Sequence, residues 1–172
     1  ISIMHCYSQD KSPFIPFEQE WKLTENTIAI QKEIFLPDLE VQVENFGAIP
    51  PDYRLPMGIV QVIVENSLLH GLRHRTEPPY QLRIAFWEHP NMYGISISDN
   101  GIGVAASKKM AGVQRHGTGL KNIERILKIL DKHFDDAITI TMTERDKDDL
   151  KYPGTTTIIQ LKKSINYEKI SL

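Results

Sequence analysis

The sequence predicts an α/β two-layer sandwich: a mixed, mostly antiparallel sheet of about five strands with helices packed on one face. Three observations predict it. Short stretches of alternating apolar and polar, or β-branched, residues recur at 39–43, 82–86, 93–97, 137–143 and 155–161. Helical patterns separate them, one strongly apolar from Pro56 to Leu72 and one with an apolar stripe after Leu120. The chain has 172 residues, 41% of them hydrophobic, which suits one globular core with at most a small appendage.

Residues 1–16 carry Pro13 and Pro16 and read as a linker or helix end. From Phe17 to Phe35, Trp21, Leu23, Ile28, Ile30 and Ile34 fit an amphipathic helix imperfectly, and Pro37 stops it. Leu39, Val41 and Val43 alternate with Glu40, Gln42 and Glu44 as a half-buried strand. Ile49-Pro50-Pro51 forms a stiff connector. Pro56 suits the first turn of the next helix, whose Ile59, Val60, Val62, Ile63 and Val64 are too apolar for a surface position. Gly71 suits its C-terminal stop, with Arg73, His74 and Arg75 where positive charge is favourable.

Thr76 to Pro79 predict a turn. Leu82, Ile84 and Phe86 alternate as a strand, and Tyr93, Ile95 and Ile97 as its neighbour across His89-Pro90-Asn91. Residues 104–116 read as a polar loop, with room for a helical turn from Val104 to Met110. Leu120, Ile123, Ile126, Leu127 and Leu130 give the last helix its apolar stripe. The strands 137–143 and 155–161 flank a charged loop from Glu144 to Tyr152, and the last ten residues read as a tail.

A net charge of −2 argues against a general polyanion binder, so no nucleic-acid partner is expected. The single cysteine, Cys6, forms no internal disulfide, which makes a reducing, cytoplasmic setting the default. No apolar run approaches the roughly 18 residues that cross a bilayer. The chain begins with Ile1 rather than Met, which predicts a piece of a longer protein with any membrane span upstream.

Three stretches carry candidate chemistry. In Val64-Glu65-Asn66-Ser67-Leu68-Leu69-His70-Gly71, polar residues interrupt an apolar helix. They either bond neighbouring backbone or form a site in which Asn66 offers its oxygen to Mg²⁺. In that site Glu65 orients a nucleophile and accepts its proton. His70, i+4 from Asn66, and Arg73 then face phosphates. Asp99-Asn100-Gly101-Ile102-Gly103 is a turn signal by itself. It also suits a strand-end carboxylate that accepts the exocyclic amine of adenine, a position where guanine presents a carbonyl. Gly101 and Gly103 would let the backbone approach the base. Gly117-Thr118-Gly119, just before Leu120, is either a plain loop or an anion site at a helix N-terminus, with Lys121 or His116 adding charge. His5, His89, His133 and Trp87 fall in no such pattern.

These three stretches, in this order, resemble the N, G1 and G2 boxes of the GHKL ATPase superfamily. The resemblance is strongest to the ATP-binding catalytic domain of LytS/YehU-type sensor histidine kinases, and it covers roughly residues 17–162. It implies the Bergerat fold, ATP and Mg²⁺ as ligands, and an ATP lid between Gly103 and Gly117. It implies Asn66 as Mg²⁺ ligand, Glu65 as acid/base or water-orienting residue, and Asp99 as adenine acceptor. Gly117, Thr118, Gly119 and Leu120 become the phosphate side, and Thr156 lies in a Gly-Thr-Thr stretch near the adenine pocket.

The division implied is a linker and helix over 1–35 at the end of a dimerisation region, an ATP-binding domain over 36–162, and a tail over 163–172. The full-length protein is then expected to be a membrane-anchored homodimer with an upstream phosphoacceptor His and a response-regulator partner. Two departures stand out: Leu69 replaces the usual Lys before His70, and no phosphoacceptor His motif is present. Leu69 leaves a degenerate, non-catalytic nucleotide- or partner-binding module as the alternative, and the missing motif fits a piece whose acceptor lies upstream. A chaperone- or repair-type ATPase would need a longer lid and a transducer domain.

Overall fold

The computed structural model describes residues 12–111, 118–132, 134, 136–146 and 148–165. In chain order the elements are β1 (Phe14–Pro16), α1 (Phe17–Ile34), β2 (Leu39–Glu44), β3 (Arg54–Pro56) and α2 (Ile59–Asn66). They continue with β4 (Tyr80–His89), β5 (Met92–Asp99), α3 (Gly103–Ala111), α4 (Thr118–Asp131), β6 (Ile138–Glu144) and β7 (Thr155–Lys162). The main sheet has the order β2-β4-β5-β7-β6, with β2 parallel to β4 and every other pair antiparallel. The fold is the expected mixed, mostly antiparallel five-stranded sandwich.

Alternation decides which face of the sheet is covered. Leu82, Ile84 and Phe86 on β4, Tyr93, Ile95 and Ile97 on β5, and Ile159 and Leu161 on β7 are buried under the helices. From above, α1 brings Phe17, Trp21 and Ile28, α2 brings Ile59, Val60, Ile63 and Val64, and α4 brings Ile123 and Leu130 into the same core. Phe17, Trp21, Phe46 and Phe86 pack ring against ring, with centroids 5.1–5.7 Å apart. The described part of the 1–35 segment is therefore built into this core. No helix among the described residues is long and apolar enough to cross a membrane.

Several local expectations are corrected. Pro56 is not in the first turn of α2: it pairs with Phe14 in a two-stranded antiparallel ribbon, β1 with β3. Both strands have only three residues, and proline is tolerated at such an edge because no ladder donor is needed there. Gly71 does not end the helix. After Asn66 the chain makes a π turn over Ser67–Gly71 and a 3₁₀ turn over Leu72–His74. The helical turn for which Val104 to Met110 had room is a nine-residue helix, α3, over Gly103–Ala111; residues 112–117 lie outside the described set, as do His5, Cys6 and His133.

Candidate functional site

The inward row of β5 runs Tyr93, Ile95, Ile97 and then Asp99, because side chains two apart share a face. Alternation thus puts a carboxylate where the pattern calls for an apolar residue. Asp99 is fully buried. Its Oδ1 accepts the Gly101 N–H at 2.9 Å, while Oδ2 is enclosed with no hydrogen-bond partner. Burial pushes its pKa up to about 6, opposed in decreasing order by the Gly101 amide, the Ser67 hydroxyl, the Thr155 amide and the charge of Arg145. An unsatisfied buried acceptor costs on the order of 1–3 kcal/mol, and such groups concentrate where a ligand supplies the donor.

Three backbone segments meet around this carboxylate. The Ile102 N–H donates to the Gly71 carbonyl at 3.3 Å, and the Gly154 N–H donates to the Gly101 carbonyl at 3.0 Å. A Cβ on Gly101 would sit 2.3 Å from the Gly71 carbonyl carbon, and one on Gly71 would sit 2.9 Å from Asp99 Oδ1. Gly154, at φ +63, leaves the same 2.3 Å between its would-be Cβ and the Asp99 carbonyl oxygen. Gly103, at φ +78, turns beneath Pro153. Asn100 holds the turn to the sheet: its Oδ1 accepts the Gln81 N–H and its Nδ2 donates to the Pro79 carbonyl, both at 2.9 Å.

Asn66 ends α2, and its side-chain NH₂ is also buried without a hydrogen-bond partner. Rotating the amide exchanges its donor for its acceptor, so the same site can present oxygen to a cation. Asn66 and Asp99 supply the only two buried side-chain polar atoms lacking a partner among the described residues. Glu65 and Leu69 are half-buried, and His70 is exposed. The π turn carries one residue more per turn than an α-helix, a feature frequent at functional sites. Arg73 is exposed, and its guanidinium lies 3.9 Å from the Phe35 ring centroid at the end of α1.

The opening of α4 packs on α2. A Cβ on Gly119 would lie 2.9 Å from a Val62 methyl group, and Val62 is one α-helical turn before Asn66 on the same face. Thr118 and Leu120 belong to the first turn of α4, and Gly117 lies outside the described residues. Thr156 is not brought to Asp99. It pairs in register with Ser98, and their hydroxyls bond at 2.9 Å on the opposite face of the sheet. The residue opposite Asp99 is Thr155, and Thr157 is also buried on the Asp99 side. Thr155, which the sequence names only as part of the Gly-Thr-Thr stretch, and Ser67, to which the sequence gives no role, are residues on the Asp99 side. The signal for Thr155 was its parity with Ile159 and Leu161, four and six residues on.

No protein-family model matches the sequence. The putative uncharacterized protein YwpD of Bacillus subtilis is 30% identical over 123 residues, covering 70% of this chain and 44% of the relative. The chain therefore spans less than half the length of that curated relative. Among solved structures, the fold is similar to the catalytic domain of histidine kinase ThkA (TM-score 0.54, 15% identity, 87% of this chain and 97% of that one). It is also similar to the mycobacterial sensor histidine kinase MprB (TM-score 0.53, 13% identity, 88% and 97%). A third is the Acinetobacter baumannii histidine kinase AdeS (TM-score 0.56, 12% identity, 91% and 70%). The chain has the fold that these kinase catalytic domains share.

Proposed function

We propose that the chain is the ATP-binding catalytic domain of a LytS/YehU-type two-component sensor histidine kinase, with the GHKL boxes and Bergerat fold that the sequence resembles. The observation that carries this reading is Asp99 Oδ2, an enclosed, unpaired acceptor at the rim of a glycine-built cradle. Adenine offers the missing donor through its exocyclic amine; guanine offers an acceptor there and is repelled. The second unpaired group, the Asn66 amide, would hold Mg²⁺, which when bound neutralises phosphate charge. Asn66 fits that ion in chemistry because Mg²⁺ keeps several waters and takes few protein oxygens.

The residues of the chain bind and orient. Asp99 fixes the base, the start of α4 supplies backbone N–H groups toward phosphate, and Glu65 stands next to Asn66 for proton acceptance. In the whole protein the γ-phosphoryl group would pass to a His on an upstream dimerisation helix, breaking its bond to the β-phosphate oxygen and forming a P–N bond. It would then pass to a response-regulator Asp. Membrane anchoring and homodimerisation belong to that larger reading.

Titration calorimetry of the chain with ATP and Mg²⁺ tests the proposal: saturable one-to-one binding supports it, and no heat above dilution sinks it. A second reading, a nucleotide-binding module without phosphoryl transfer, is favoured by Leu69, an apolar side chain where the resemblance implies a Lys. Arg73, its guanidinium resting on Phe35, points the same way. Leu69→Lys discriminates: an unchanged ATP affinity removes that argument.

A further inference from the structure

Glu20 is a carboxylate in the first turn of α1, yet it is completely buried. Its two oxygens are spent on the first turn of α2. Oε2 accepts the Gly58 N–H at 2.7 Å, and Oε1 accepts the Val60 N–H at 2.8 Å and the Gln61 N–H at 3.0 Å. The first N–H groups of a helix have no partner within it, and an anion there also meets the positive end of the dipole. Gly58, at φ +83, occupies the cap position and has no side chain to do this locally. The cap of α2 thus comes from 38 residues upstream. A second link between the helices runs alongside it, from Gln61 Nε2 to Thr27 Oγ1 at 3.1 Å.

The other end of α2 is Asn66, about 10 Å along a rigid helix from that cap. Beyond it the π turn takes up one extra residue before the chain is pinned at Gly71 against Gly101. A helix followed by such a turn has register to lose, because closing the π turn into an α turn rotates what precedes it. We infer that Glu20 is a positioning residue for the metal end of the nucleotide site: by clamping the N-terminus of α2, α1 sets the axial position and rotation at which Asn66 is presented. This rests on the proposed function, and it assigns α1 the regulation of that site. A displacement of α1 would loosen Asn66 and leave Asp99, anchored by the sheet, in place. Burial raises the Glu20 pKa, and the Gln61, Gly58 and Val60 amides oppose that rise.

The test compares wild type with Glu20→Gln, whose oxygen can still accept from Val60 and Gln61 while its NH₂ confronts the Gly58 N–H. Calorimetry is run with ATP plus Mg²⁺, ATP plus a chelator, and adenosine. The expected result is that the variant loses at least about fivefold of the Mg²⁺-dependent gain in ATP affinity, while adenosine affinity stays within about twofold. An unchanged Mg²⁺ gain overturns the inference, and so does an equal loss for adenosine, which would mark general loosening of the fold. If wild type binds adenosine and ATP with no Mg²⁺ gain, the metal role of Asn66 fails and the inference falls with it. If wild type binds no ATP, the nucleotide reading itself falls. A measurement on the unaltered chain decides even where the variant does not fold: Mg²⁺ added to the ATP-saturated protein should shift the amide resonances of Gly58, Val60 and Gln61. If those stay fixed while Asn66 moves, α2 does not couple its two ends.

Discussion

Gly101 lies against Gly71 so closely that a methyl group on it would sit 2.3 Å from the Gly71 carbonyl carbon. The contact joins the end of the π turn to the turn after Asp99. Gly101→Ala must therefore push apart two backbones rather than two side chains. It should lower stability by about 2–3 kcal/mol, the upper part of the overpacking range. Gly47, with nothing within 4 Å of its would-be Cβ, is the control: Gly47→Ala should change urea stability by less than about 0.5 kcal/mol. Equal effects at the two positions would refute the close-approach account.

The burial of Asp99 predicts a stability penalty that its function requires. Its pKa in the folded chain is raised from 3.8 to about 6, so the carboxyl favours the folded state when protonated. That contribution is full below the unfolded pKa near 3.8 and is lost as pH rises through about 6. A shift of this size corresponds to roughly 3 kcal/mol as an upper figure. Asp99→Asn carries no such term. Urea unfolding should show wild type losing about 2–3 kcal/mol relative to the variant between pH 4 and pH 8. Parallel pH profiles would mean that the carboxylate is solvated.

The same titration predicts how ligand binding responds to pH. The ionised carboxylate accepts the adenine amine, and the protonated one presents a donor to it. Adenosine, which has no phosphates to titrate, should bind progressively more weakly as pH falls below about 6. An affinity constant from pH 8 to pH 5 would separate Asp99 from the base.

Asn66 has a buried NH₂ that bonds nothing, so removing it forfeits no hydrogen bond. Asn66→Ala should leave the unfolding free energy within about 1 kcal/mol of wild type while abolishing the Mg²⁺-dependent gain in ATP affinity. A large stability loss with the gain intact would make Asn66 a structural residue.

Much of this was legible in the chain itself, and the exceptions share a cause. The five main strands and the helices α1, α2 and α4 follow from local periodicity, and so does Asp99, since the alternation of Tyr93, Ile95 and Ile97 extends to it. Thr155, Thr156 and Thr157 carry no period of their own; only the parity of Ile159 and Leu161 places Thr155 and Thr157 inward and leaves Thr156 on the other face. The three-residue strands β1 and β3 depend on each other across some 40 positions, as does the bond from Arg54 to the Phe14 carbonyl. Gly71 reads as a helix stop locally, but its small size answers to Gly101, thirty residues later. Glu20 looks like one more exposed acidic residue on an amphipathic helix until its three donors on α2 are seen. Non-local partners are what a local pattern cannot contain.

The central claim is that Asp99 reads adenine. The most direct measurement is the ratio of ATP to GTP affinity, by calorimetry with Mg²⁺ at pH 7.5, for wild type and Asp99→Asn. Wild type should prefer ATP by at least about tenfold, roughly 1.4 kcal/mol, and the variant, whose amide both donates and accepts, should bring the ratio close to one. A wild-type ratio of one, or a preference that survives the substitution, would contradict it.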